Sequence, residues 1–439
     1  MKLFKTDFFK SAGTLFSGSL IAQAVSFGAL YFLADLYDPY QFGTLETFVK
    51  LASIGTVVSG LRYELGIVAV DQEKEAQEIT RLSLCLTFIF SFGLFIIMLL
   101  FKQPIADLLK IESPSTLYFV PLAIIMMGST ETLVLWGNRI KKYKEISANR
   151  IAGSASGTVY KLLHPSLEIA GNGLIIGQLL SALVALIHIA IKFPVKIFAT
   201  SRDQLVALVK KHKSFAIYST PGALLNVLAT SMPFFMLAAF DGQGATGHLG
   251  MAYKLTYLPM SMVGMALGQV FFERNARLKK DKTETAAISH QLFNTMFWTA
   301  LIPVVILSVW ADELVPYFLG AKWTEAGIFI QLTIPFYFAM YLTTSFSSAF
   351  VTYDKLKVQL VYNLCFLLIT SGALYAAYSL GLSTRVALAW FCIAGVILRI
   401  GILNYFFYLF GKNLITKTIF AILITGILIY LGFGIKEGF

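Results

Sequence analysis

Apolar runs of roughly 20 residues recur from one end of this sequence to the other, each long enough to cross ~30 Å of hydrocarbon as a helix. They are too long and too uniformly apolar for the alternating strands of an outer-membrane barrel, which run to about 10 residues each. A bilayer offers no partner to a free backbone amide, so helices are the remaining way to span it. Composition agrees: the chain is 57% hydrophobic and 13% charged, where soluble chains carry about 25% charged residues. The expected fold class is an all-α integral membrane protein.

Spans are predicted near 12–34, 43–69, 82–101, 115–136, 146–164, 171–191, 215–240, 248–272, 290–310, 326–350, 358–379, 385–409 and 416–434. The first continues past Ala22-Gln23-Ala24, a pattern like a signal-peptidase site, and is expected to stay uncleaved. With the N-terminus in the cytoplasm, 25 of the 35 lysines and arginines fall in inside segments. The outside loops hold four, Lys102, Lys110, Lys322 and Lys436. Such a bias sets orientation, because basic loops stay on the cytoplasmic side. The net charge of +11 is thereby read as a topology signal, and no nucleic-acid partner is expected.

The segment 195–214 is basic but carries Leu205-Val206-Ala207-Leu208-Val209, and reads as an amphipathic helix on the cytoplasmic surface. It divides the chain into a six-helix lobe over 1–194, a six-helix lobe over 215–410, and an extra helix within 411–439. An even number of crossings per lobe makes the halves parallel repeats about an axis along the membrane normal. A faint internal match supports this. Tyr37-Asp38, Phe42-Gly43 and Lys50-Leu51 correspond to Phe240-Asp241, Thr246-Gly247 and Lys254-Leu255. Each lysine sits about seven residues into the second helix of its half, roughly 10 Å below the outer surface.

No soluble-enzyme motif is present, neither a phosphate-cradling glycine loop followed by Lys-Ser/Thr nor a metalloprotease H-E-x-x-H or CxxC pair. The outside loops are short for a membrane polymerase. Cys85, Cys365 and Cys392 fall inside apolar runs without metal spacing, so neither a metal site nor a disulfide framework is expected. What remains are ionisable groups at membrane depth, each costing ~2.5–3.5 kcal/mol at the bilayer centre and therefore usually facing water or a partner. Lys50, Arg62, Lys254 and Arg399 are the candidate cations, and Lys161, with His164 and Glu168, reads mainly as a solvated rim. Glu64, Glu131 and His188 are candidates for ion coupling. The bland readings are snorkelling for the lysines, a helix-anchoring ion pair for Arg62, Glu64 and Glu131, and hydrogen-bonded packing for His188. Cations outnumber acids in this set, which suits an anionic ligand such as a phosphate or pyrophosphate. Pro221, Pro233, Pro259, Pro303 and Pro335 bend helices of the second half, as a protein rocking between two openings would need.

Over about residues 5–410 the chain resembles the bacterial polysaccharide (O-antigen type) flippases of the multidrug/oligosaccharidyl-lipid/polysaccharide (MOP) exporter superfamily. The resemblance is carried by Asp38-Pro39-Tyr40-Gln41-Phe42-Gly43 and Leu61-Arg62-Tyr63-Glu64 in the first half. In the second it is carried by Gly250-Met251-Ala252-Tyr253-Lys254-Leu255, Pro259, Gln269-Val270-Phe271-Phe272, Leu319-Gly320, Trp323 and Pro335. It implies two lobes around a central cavity and transfer of an undecaprenyl-pyrophosphate-linked oligosaccharide across the bacterial inner membrane by alternating access. The basic pattern in which related flippases hold the pyrophosphate falls on Lys254. No cofactor is implied beyond a proton or sodium gradient. The partners implied are the lipid-linked oligosaccharide and membrane lipids, with other polysaccharide-assembly proteins as candidates. The rivals are a multidrug exporter of the same superfamily, which would want uncompensated carboxylates in its cavity, and a polysaccharide polymerase. Relatives usually have 12 or 14 spans, so a thirteenth is a departure.

Overall fold

The computed structural model describes residue 18 and residues 20–167, 169–195, 202–278 and 282–411. The expected helix over 416–434 lies outside the described residues, as do Glu168 and the start of the basic linker. The helices are α1 (Leu20–Leu36), α2 (Pro39–Ser59), α3 (Glu73–Leu108), α4 (Phe119–Arg139), α5 (Tyr143–Leu163) and α6 (Gly173–Lys192). After them come α7 (Arg202–Lys211), α8 (Thr220–Asp241), α9 (Gln243–Leu278), α10 (Lys282–Leu319), α11 (Thr324–Thr344), α12 (Leu356–Ser379) and α13 (Thr384–Leu409). Short helical turns join several of them, and no strand occurs among the described residues.

Eight of these helices, with their flanking turns, are long and apolar enough to cross a membrane, and α2 with the bent segment after it makes a ninth. The protein is therefore a multi-pass membrane protein. Helices also form where the fifth and eighth spans were expected, but α5 and α9 are less apolar than those nine. Both carry cations, and α5 is rich in glycine and serine. Apolar side chains such as Ile89, Phe92 and Leu100 project outward from α3, as lipid contact requires.

The chain forms two compact units, Met1–Leu228 and Ala229–Phe439. In the first, α2 starts on a capping box. Asp38 accepts from the Gln41 amide at 2.8 Å, the Gln41 side chain accepts from the Asp38 amide at 3.1 Å, and Pro39 occupies the first helical turn. The helix ends at Gly60, where a Cβ would lie 2.6 Å from Glu64 Oε2, so the close approach of the carboxylate needs glycine. Leu61 and Arg62 follow with φ of 48° and 59°. Two non-glycine residues in the left-handed region reverse the helix locally at a cost of order 1–3 kcal/mol each. Beyond them Tyr63–Ala69 runs at 64° to α2. The carbonyls this break leaves without helical partners are met from α4. Arg139 donates to the Ile67 and Asp71 carbonyls at 2.8 Å and also to Val70.

The amphipathic helix α7 packs within the first unit. Leu208 joins a buried cluster of Tyr63, Ile67, Ile79 and Leu82, with Leu205 against it. The Tyr63 hydroxyl donates to the Val209 carbonyl at 3.2 Å, and Glu75 of α3 accepts from Lys211 at 2.5 Å and His212 at 2.7 Å. In the second unit a phenylalanine cluster around Phe271, Phe346, Phe407 and Phe410 ties α9, the turn after α11 and the end of α13 together.

Candidate functional site

In the first unit, Lys50 is half-buried on α2, and Glu46 lies one turn before it, buried. The break after α2 gathers three of the predicted residues. Arg62 Nη1 lies 3.5 Å from Glu64 Oε1 and 3.6 Å from Glu131 Oε1 on α4. Glu64 is 5% exposed and its Oε2 has no hydrogen-bond partner, whereas the Glu131 side chain is 46% exposed. One guanidinium thus sits between a buried and an open carboxylate. This is the ion-pair reading of the trio, and it matches the Arg62 charge locally with acid. The His188 ring Nδ1 lies 3.3 Å from the Asn149 side-chain oxygen, which accounts for the histidine as a hydrogen-bonded group between α6 and α5.

The first unit also carries an open pocket of about 540 Å³, lined from α1, α4, α5 and α6. One of its residues was read differently from sequence. Lys161 is no solvated rim group: it lines the cavity and donates to Gln178 Oε1 at 3.2 Å. Arg150, within the span expected near 146–164, lies on α5 and lines the same wall. The available signal was the run from Ser147 to Gly157, whose glycines and serines follow Asn149 and Arg150 at helical spacing. Glu131 lines this cavity too, so the space opens onto the Arg62 cluster.

In the second unit, Lys254 is half-buried on α9 between Tyr253 and the turn that carries Tyr257. Those two rings and Tyr337 of α11 form a triangle, with centroids 5.2, 5.6 and 5.9 Å apart. Arg399 of α13 stacks on Phe366 at 4.7 Å and donates to the Thr343 hydroxyl at 3.4 Å. Sequence spacing singled out the cations and missed the tyrosines, because nothing local distinguishes a tyrosine in a cluster from one at a membrane interface. Nearer the helix ends, Arg385 binds Glu325 through two hydrogen bonds of 2.9 and 2.6 Å, joining α13 to α11.

A protein family described as "Polysaccharide biosynthesis protein" matches residues 32–327. The Escherichia coli (strain K12) protein described as "Lipopolysaccharide biosynthesis protein WzxC" is 19% identical over 305 residues, 68% of this chain. The chain spans 61% of that relative's length. Among solved structures, the lipid II flippase MurJ in an inward closed conformation superposes with a TM-score of 0.70 at 12% identity, covering 97% of this chain and 98% of MurJ. The inward-facing conformation of a multidrug resistance MATE family transporter of the MOP superfamily gives 0.62 at 16% identity, covering 90% of this chain and 93% of its own. At these identities the structural likeness concerns the fold.

Proposed function

Because the chain belongs to the family of polysaccharide biosynthesis proteins, we propose that it is a flippase that carries an undecaprenyl-pyrophosphate-linked oligosaccharide across the bacterial cytoplasmic membrane by alternating access. The work is transport, with no bond made or broken. The N-terminus is cytoplasmic, consistent with the basic residues of α7 and the 202–214 segment on that side.

The single observation that carries the reading is the setting of Lys254. It is a half-buried cation on a helix less apolar than its neighbours, in the turn that carries Tyr253 and Tyr257, whose rings meet Tyr337. A pyrophosphate is recognised by several charge-assisted hydrogen bonds at low local dielectric. Lys254 and Arg399 of the second unit supply the charge, and the tyrosine hydroxyls add neutral donors. Arg62 is already held by Glu64 and Glu131, so its part is to tie the α2 break to α4. A multidrug exporter, whose cargo is cationic, is the weaker reading, since Glu64 and Glu131 share Arg62.

A proton or sodium gradient drives the cycle, with Glu64 and Glu131 as the coupling carboxylates. The buried Glu64 oxygen without a partner would accept a proton, or a cation that displaces Arg62. His188 is a lesser candidate, held by Asn149.

Replacing Lys254 by glutamine tests the reading, with surface polysaccharide measured at matched protein level. Loss of polysaccharide, recovered in Lys254→Arg, is expected. Full polysaccharide in Lys254→Gln removes the lysine from the mechanism.

A further inference from the structure

Glu64 Oε2 is buried without a hydrogen-bond partner, and its surroundings are oxygen-rich. The position that a Cβ on Gly60 would take lies 2.6 Å from this oxygen and 3.9 Å from Thr87 Oγ1 of α3, so both border one small space. Ser59 Oγ, at the end of α2, lies 3.4 Å from Thr87 Oγ1, and both residues are buried. A Cβ on Gly128 of α4 would come within 3.0 Å of Ser59 Oγ and 3.5 Å of Thr87 Oγ1. Glycine at 60 and 128 thus keeps side-chain carbon out of the space between these oxygens.

A hydroxyl has one proton to donate and two lone pairs. Ser59 donates to the Thr56 carbonyl at 3.0 Å, and Thr87 donates to the Ser83 carbonyl at 2.9 Å. Their 3.4 Å approach therefore sets lone pair toward lone pair, beside a carboxylate oxygen that also lacks a donor. Oxygens so placed repel one another unless a positive charge sits among them. The C-terminal end of α2 adds the negative end of its dipole to the same space. Arg62 is on the other side of the carboxylate, with Nη1 3.5 Å from Oε1. That guanidinium also faces Glu131, so one cation meets two carboxylates, and a single further positive charge completes the balance of the trio.

The spacing selects among cations. Hard cations take oxygen ligands, and at the ~2.3–2.6 Å bonds of a calcium-sized ion, oxygens at right angles stand about 3.3–3.7 Å apart. The Ser59–Thr87 separation of 3.4 Å falls in that range. Sodium has this size with one charge, whereas the ~2.0–2.1 Å bonds of magnesium would need the oxygens closer.

We propose that Glu64 Oε2, Ser59 Oγ and Thr87 Oγ1 are ligands of a sodium ion held between the end of α2 and α3. The inference deepens the coupling part of the transport reading and rests on it for the use of the ion, but not for the existence of the site. It refines the exchange outlined above: the ion takes Oε2 while Arg62 keeps Oε1.

The test measures binding of radioactive sodium to purified full-length protein in detergent, with choline chloride holding the ionic strength. Saturable binding is expected, displaced by unlabelled sodium and not by potassium at the same concentration. Glu64→Gln and Thr87→Val should each weaken it on the order of tenfold or more, as loss of a buried contact to a charged group does. Thr87→Ser keeps the oxygen and should bind like the wild type. Thr80→Val removes another buried hydroxyl of α3, two turns away, and should also bind like the wild type. Thermal melts in choline chloride check that each variant is folded, and Ser59→Ala takes the place of Thr87→Val if that variant is not. Absence of saturable binding, equal displacement by potassium, or unchanged binding in Glu64→Gln overturns the proposal. A melting temperature that follows pH through Glu64 with no sodium effect marks a proton site and overturns it as well. Binding needs no transport, so sodium binding as expected beside full polysaccharide in Lys254→Gln would sink the pyrophosphate mechanism and leave the ion site standing.

Discussion

The Arg62 guanidinium lies 3.6 Å from the Glu131 carboxylate, tying the break after α2 to the wall of α4. The same guanidinium faces the buried Glu64 at 3.5 Å. The two contacts differ in kind. Glu131 is largely open, so water competes for it, while Glu64 is shut away and depends on Arg62 for its charge.

That asymmetry sets the expected effects of substitution. Arg62→Gln should cost about 1–3 kcal/mol, because a buried carboxylate loses its partner. Glu131→Gln should cost less than about 1 kcal/mol, as exposed pairs do. Adding Glu64→Gln to Arg62→Gln should recover most of the loss. Thermal melts in detergent measure all three, and equal losses for Arg62→Gln and Glu131→Gln would count against the buried–open distinction.

Helix packing in the first unit depends on Gly157. Alanine there puts a methyl group against the Gly177 carbonyl and the Ser181 side chain, and the backbone of α6 cannot give as a flexible side chain could. Gly157→Ala should lower the melting temperature by several degrees, the effect of overpacking by about 1–3 kcal/mol. Gly372→Ala on α12, where a Cβ meets nothing within 4 Å, should be neutral or slightly stabilising. A fall of equal size at both positions would show that close approach is not the cause.

Glu75 pins the amphipathic helix α7 through Lys211 and His212. Hydrogen bonds to a charged group contribute about 1.5–3 kcal/mol, so Glu75→Gln should raise local opening of α7 by roughly tenfold or more. Limited trypsin digestion at Lys210, Lys211 and Lys213 reads this directly. The rate should rise with the melting temperature nearly unchanged, since the Leu208 cluster remains. An unchanged rate would mean that the cluster alone holds the helix.

Arg399 stacks on Phe366 and donates to Thr343, so its plane is used as well as its charge. Arg399→Lys should therefore reduce polysaccharide export at matched protein level, and Arg399→Gln should reduce it further. Wild-type export in Arg399→Lys would reduce the role of this residue to its charge.

Much of this architecture is written locally. Twenty-residue apolar runs specify membrane helices wherever they occur, because the bilayer leaves no other way to satisfy a backbone. Asp38-Pro39 and Gln41 carry the start of α2 in adjacent side chains, and the alternation of Leu205 and Leu208 with lysines marks α7 as a surface helix. The cations at depth stood out for the same local reason, since a charge in an apolar run is conspicuous. What they face was not legible. Lys161 read as a rim charge until α5 packed on α6 and turned it toward Gln178. Nothing near Arg62 in the chain pointed to Glu131 over the alternatives, and Tyr337 has no mark linking it to Tyr253. Periodicity and hydropathy are properties of single segments, and the sequence alone determined the segments, their class and their count of charges. Partnership between residues far apart in the chain depends on helix rotation and on close approach at Gly153 and Gly157. Packing decides those terms, and only the tertiary structure contains them.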